Sequence, residues 1–233
     1  MKSAAIRGRR VTRSLTTITL VLTISTGLLT GTSATATTTS QSTPKKGTTA
    51  ALLDTLVVKG KAPKTGYSRS SFSHWRDPDR NGCDARNDIL KRDLINIVFK
   101  EDTGECKVIS GVLNDPYSGT SIQFTLGKSE VDIDHVVALS HAWQVGAFQW
   151  SDAKRLEFAN DPTNLLAVSA RLNRQKGDGD AATWLPPAKS YRCAYVSRQV
   201  VVKVKYGLWV TAPEKAQIKR VLEGCPNFSA PTS

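Results

Sequence analysis

The sequence predicts an α+β domain behind a detachable leader, and three observations carry that prediction. Short alternating apolar runs, Ile122/Phe124/Leu126 and Val131/Ile133, have the two-residue period of half-buried strands. Segments with helix-start signals, Ser151 before an acidic first turn and Thr211-x-x-Glu214, read as helices. Four cysteines, none in a CxxC pair, follow an export signal, which favours two disulfides over a zinc site.

The leader is residues 1–36. MKSAAIRGRRVTR is basic, LTTITLVLTISTGLLT is apolar and uncharged, and Ala34-Thr35-Ala36 offers small residues for cleavage. That is the three-part layout of a secretory signal peptide. The apolar run is too short and too rich in Thr to serve well as a membrane span. Arg9-Arg10 lacks the apolar residues that would mark the twin-arginine route. The arginine-rich start suits a Gram-positive exporter. Residues 37–66, rich in Thr, Ser, Lys and Gly, are expected to form a flexible linker apart from an apolar patch at 51–58, with the folded domain filling 67–233.

Within that domain Asn87 is placed to cap a helix through Val98. Cys106–Leu113 and Ser121–Leu126 follow as a hairpin across Asn114-Asp115-Pro116-Tyr117-Ser118-Gly119. Val131–Val137 is a third strand, with Asp132 and Asp134 on one face and Val131 and Ile133 on the other. Ser151 caps a helix that ends before Asp161-Pro162. Leu165–Val168 is a short strand, and Ser169 and Gly177 bracket a helix of about two turns. Ser190–Tyr206 fits strand and helix equally. Thr211 opens a last helix that Gly224 closes. The cysteines allow three connectivities. Cys83 with Cys106 and Cys193 with Cys225 are favoured because each pair is local and flanks the central segment, and each bridge would contribute about 2–4 kcal/mol.

The chain carries 32 basic and 20 acidic residues, a net charge of +12. The leader holds five of the basic residues and none of the acids, so the mature chain keeps a charge of +7. An exported basic protein favours polyanions: nucleic acid, teichoic acid or an anionic surface. The chain has neither HExxH nor GxSxG, so zinc proteolysis and serine esterase chemistry lack their residues.

The chemistry concentrates between Val131 and Asp180. Asp134, His135, Asn164 and Asn173 occur there in order, among Arg171, Arg174 and Lys176. A phosphodiester resists hydrolysis because the nucleophile and the phosphate are both negative. A divalent cation relieves that repulsion, and a neutral imidazole takes the proton from water near pH 7. An Asp and an Asn supply hard oxygen ligands and leave the rest of the shell to water and phosphate.

The pieces DIDHVVALSHAW, GAFQW, FANDPTNLLAV, NRQKGD and WLPP, with CDARNDIL and DPYSG upstream, resemble the HNH (ββα-metal) nucleases. More narrowly they resemble the secreted actinobacterial proteins grouped with the DUF1524 and GmrSD C-terminal domains, over about residues 70–225. The resemblance implies a ββα-metal core with additional helices, a β-hairpin and two disulfides. It implies an endonuclease that cuts DNA, or RNA, with little sequence specificity, leaving a 5′ phosphate and a 3′ hydroxyl. His135 falls on the general base, Asn164 on the residue supporting loop and base, and Asp134 and Asn173 on the metal ligands. Asn173 stands where many HNH proteins have His, which favours Mg2+ or Mn2+ over zinc. Arg171, Arg174 and Lys176 are expected to bind the substrate backbone, with Arg86 and Lys189 as weaker candidates. A monomer, free of the membrane once the leader is cleaved, is expected.

Simpler roles compete. Asp132 could assist as an acid or form a salt bridge. His141 reads as a surface helix residue, His74 as structural, and Trp143, Trp150 and Trp184 as core. Strict alternation sends Asp134 and His135 to opposite sides, so a strand end or a bulge is needed to bring both to one metal. The competing function is a non-catalytic basic module that binds nucleic acid or the cell envelope.

Overall fold

A computed structural model describes residues 47–128 and 130–229; the expected signal peptide lies outside the described residues. Among the described residues, two small antiparallel sheets and seven α-helices make up an α+β fold. The first sheet is a meander of β1 (Leu94–Phe99), β2 (Val108–Asn114) and β3 (Ser121–Thr125). The second pairs only β4 (Val131–His135) with β5 (Leu165–Ser169), in register from Val131↔Ser169 to His135↔Leu165. Among the described residues no helix is long and apolar enough to cross a membrane.

α2 (Ala85–Asp93) joins the two sheets. Its Ala85, Ile89 and Leu90 share one core with Leu113 and Phe124 of the meander and with Ile133 and Ala167 of the pair. Asp84 caps this helix, not Asn87, and the helix stops five residues earlier than its apolar stripe suggests. The next six residues, LINIVF, form β1. β-branched Ile95, Ile97 and Val98 lose rotamer freedom in a helix and fit a paired strand. The hairpin of β2 and β3 forms as expected.

β4 and β5 are joined by α3 (Leu139–Gln144) and α4 (Asp152–Asn160), and β5 runs directly into α5 (Ala170–Lys176). Ser151 caps α4, Ser169 caps α5, and Gly177 ends α5 at φ +53, a conformation favouring glycine. The ambiguous segment is helical: α6 (Arg192–Tyr206) is the longest described helix and is buried along most of its length. α7 (Ala212–Glu223) carries the expected capping box. Cys83 bonds Cys106, and Cys193 bonds Cys225.

Residues 37–46 of the expected linker lie outside the described residues, and its described part needs correction. α1 (Thr49–Thr55) lies inside residues 37–66, yet Leu53 and Leu56 are buried in the same core as Val196, Val200, Ile218 and Leu222. The apolar patch is therefore part of the domain. Its composition misleads because only one face needs apolar side chains. Leu53→Ala is expected to destabilise the protein by about 2–5 kcal/mol. A denaturant midpoint equal to wild type would show that α1 is dispensable to the fold.

Candidate active site

The site is built where β4 ends. Its register with β5 is unbroken, so no bulge turns the strand. After His135 the chain is instead captured by Asn164. The Asn164 carbonyl accepts from Val136 N–H at 2.8 Å. Its side-chain Oδ1 accepts from Val137 N–H at 2.9 Å, and its Nδ2 donates to the Val137 carbonyl at 3.3 Å. Asn164 is itself held in a turn whose Asp161 takes Thr163 N–H, the Tyr206 hydroxyl and the Lys205 ammonium. It is fully buried, does not line the cavity described next, and positions the loop.

Asp134, His135, Asn173, Arg174 and Gly177 line one cavity of about 200 Å³ together with Arg69 and Asp178. The strand end thus brings two consecutive residues to one space, and α5 brings Asn173 to it. His135 Nε2 lies 2.8 Å from the Ala159 carbonyl oxygen. That oxygen belongs to the last turn of α4, where carbonyls lack helical partners. A carbonyl only accepts, so Nε2 carries the proton and Nδ1 is left as the acceptor. Trp75 tilts over the ring at 5.6 Å, and His74 stands 6.4 Å away. Burial, aided by the positive charge of Arg69, lowers the His135 pKa from 6.5 to about 3, so the imidazole is neutral.

The Asp134 carboxylate is held from both sides. Tyr117 Oη donates to Oδ2 at 2.6 Å, and Lys176 Nζ donates to Oδ1 at 2.9 Å and to the His135 carbonyl at 3.0 Å. Burial raises the Asp134 pKa against the pull of Lys176 and Tyr117. Tyr117 comes from the DPYSG turn. Asp115 there accepts from Tyr117, Ser118 and Ser169 N–H and so ties the turn to the start of α5.

The expected substrate-binding residues divide. Arg174 lines the cavity, 3.9 Å from half-buried Asp132. Arg171 of α5 and Lys189 are exposed and Arg86 of α2 is partly buried, and all three lie outside the cavity lining. Lys176 is buried and spent on Asp134 and His135, so it is not free to meet a phosphate. Arg69 lies outside the motif pieces, and Asp178, the last residue of NRQKGD, was given no role there. Arg69 has no carboxylate partner among the described residues, whereas Asp178 pairs with Lys64 at 2.8 Å.

A divalent cation fits the donor set of the cavity. Asp134 and Asn173 offer hard oxygens, and each carboxylate oxygen of Asp134 keeps a lone pair beyond its present bond. Two other places offer ligands. His141, Asp180 and Glu214 bring ligand atoms within 4.8 Å of one another. Lys203 Nζ already lies 3.0 Å from His141 Nε2 and 2.9 Å from Glu214 Oε1, so a resident ammonium fills that place. His141 is thus buried in an ion cluster, not a surface residue. Asp77, Asp79, Asn81 and Asp88 fall at the first, third, fifth and twelfth places of a loop with Gly82 at the sixth. That is the order of an EF-hand loop, with Asp in place of the final Glu. Trp143, Trp150 and Trp184 pack against the cores.

Residues 84–221 match the family model "GmrSD restriction endonucleases, C-terminal domain". The chain belongs to this family. An uncharacterized secreted protein of the fungus Arthroderma benhamiae is 39% identical over 184 residues, 78% of this chain and 87% of the relative. No solved structure matches. The GmrSD C-terminal segment opens at Asp84, the cap of α2, and spans β4, β5 and α5. Arg69, His74 and Trp75, which face His135, precede it.

The buried histidines set a pH dependence. Burial lowers the pKa of His141 as well as His135. The unfolded chain takes up those protons below about pH 6.5 while the native protein does not, so stability falls as pH drops through that value toward about 3 for His135. Burial opposes ionisation of Glu214, but Lys203 and His141 hold its pKa at about 2. Its contribution is complete above about pH 4.5 and is lost as pH falls toward 2. Between pH 7.5 and 5, His135 alone should cost about 2 kcal/mol, and His135→Asn should remove that share. Urea midpoints that do not differ between the two pH values would refute the burial of neutral histidine.

Proposed function

We propose that the protein is an exported, metal-dependent endonuclease in which β4, β5 and α5 form a ββα-metal core. The observation that supports this best is the meeting of Asp134, Asn173 and a neutral, oriented His135 in one cavity. Membership of the GmrSD C-terminal family supports nuclease chemistry. The secreted relative, the two disulfides and the leader support export.

Asp134 and Asn173 would hold Mg2+ or Mn2+. When bound, the metal supplies positive charge to the phosphoryl oxygen and the departing 3′ oxygen. His135 accepts the proton of the attacking water at Nδ1, and the Ala159 carbonyl stabilises the imidazolium that results. Tyr117 and Lys176 fix the Asp134 carboxylate. Asn164 holds the loop that keeps Asp134 and His135 together. Arg69 and Arg174 bind the phosphodiester backbone, which carries no base identity, so cleavage of DNA, or RNA, with low sequence specificity follows.

The test is nicking of supercoiled plasmid in Mg2+ or Mn2+, with and without EDTA, beside His135→Ala. Nicking is expected to need the metal and to fall by about 10²–10⁴ in the variant. If both proteins retard the plasmid and neither cuts it under any divalent metal, the domain is a binding module.

A further inference from the structure

The cavity offers a bare cation little net negative charge. Its two carboxylates, Asp134 and Asp178, face two guanidiniums, Arg69 and Arg174. Each carboxylate already holds an ammonium: Asp134 pairs with Lys176 at 2.9 Å and Asp178 with Lys64 at 2.8 Å. The first of these pairs is enclosed, the Lys176 side chain being 0% exposed, and the same ammonium also bonds the His135 carbonyl. A divalent cation entering alone meets a principal ligand whose charge is neutralised at contact distance, flanked by further positive groups. The Coulomb gain that seats a hard cation on a carboxylate is largely cancelled there. A phosphodiester meets the reverse: unpaired Arg69, Arg174 and a site without free negative charge. Once seated, it returns negative charge and oxygen ligands to the place the metal needs.

Building on the nuclease reading, we propose that the free protein takes the phosphodiester first and holds its divalent metal tightly only in the ternary complex. Lys176 is the positioning residue that sets this order by neutralising Asp134. By linkage, the factor by which DNA tightens the metal equals the factor by which the metal tightens DNA. Lys176 is thereby distinguished from a residue that only holds the fold, whose removal would not strengthen metal binding.

The test is electron paramagnetic resonance of Mn2+ titrated with purified protein, with and without short duplex DNA. A His135→Ala background prevents cleavage, and Mn2+ taken up by DNA alone is measured separately. DNA is expected to tighten Mn2+ at least tenfold. Without DNA, Lys176→Gln is expected to bind Mn2+ at least tenfold more tightly than the parent, and Lys176→Arg, which keeps the charge, as weakly as the parent. Equal affinity with and without DNA overturns the order of binding, and that comparison stands even if Lys176→Gln does not fold. A folded Lys176→Gln with unchanged affinity overturns the role of Lys176. Asp134→Asn separates these failures from failure of the nuclease reading: if it leaves Mn2+ uptake in the DNA complex unchanged, Asp134 is not a metal ligand and the site itself is misassigned.

Discussion

One side-chain amide does the work of a missing strand. β4 pairs with β5 as far as His135, and there the ladder would normally continue or the chain would leave. Asn164 instead extends the pairing by two residues from the side: its own carbonyl takes Val136, and its amide takes both polar groups of the Val137 backbone. A buried backbone that leaves a sheet must find such partners, since each unpaired group costs about 1–3 kcal/mol. Because Asn164 supplies them, the chain can turn immediately after His135. Asp134 and His135 then share a cavity although strand geometry alone would send them to opposite faces.

The remaining features of the site follow from the dryness of that corner. His135 lies under Trp75 and against α4, which keeps it neutral, and the Ala159 carbonyl decides which nitrogen is free. Burial of Asp134 would be costly without the Tyr117 hydroxyl and the Lys176 ammonium, and both arrive through local turn chemistry. Asp115 locks the hairpin turn that delivers Tyr117, and α5 delivers Lys176 one turn beyond Asn173. Buried charges survive when their partners are close and geometrically fixed.

Local signals were legible in the sequence wherever a single residue type had one job. Ser151, Ser169, Gly177 and the Thr211–Glu214 box all mark the ends they were expected to mark. The hairpin and the disulfide pairs were equally direct. What failed was long-range. Leu94–Val98 carries a helical stripe, but pairing with β2 outweighed it. The apolar patch at 51–58 was legible, but its burial in α1 was not, because the face it buries is set by α6 and α7, far along the chain. Within the site, Asp134, His135 and Asn173 were legible as an ordered motif. The burial of Lys176 was not, since a lysine beside two arginines on a short helix gives no sign of which one turns inward. Tyr117 and Arg69 reach the site only through the fold.

A basic module that merely held a polyanion would need surface cations and little else. Arg69 and Arg174 at a shallow opening could do that without any buried titratable group. This protein also encloses an imidazole whose pKa is lowered to about 3 and a carboxylate tied to an ammonium and a phenol. Each of these lowers stability relative to apolar side chains of similar size. The binding surface does not require them, and the fold does not either, because the second cluster around Lys203 and Glu214 lies apart and closes on itself. Groups held at such cost beside a cavity, with one imidazole nitrogen left open, support the proposed catalytic reading over the binding module.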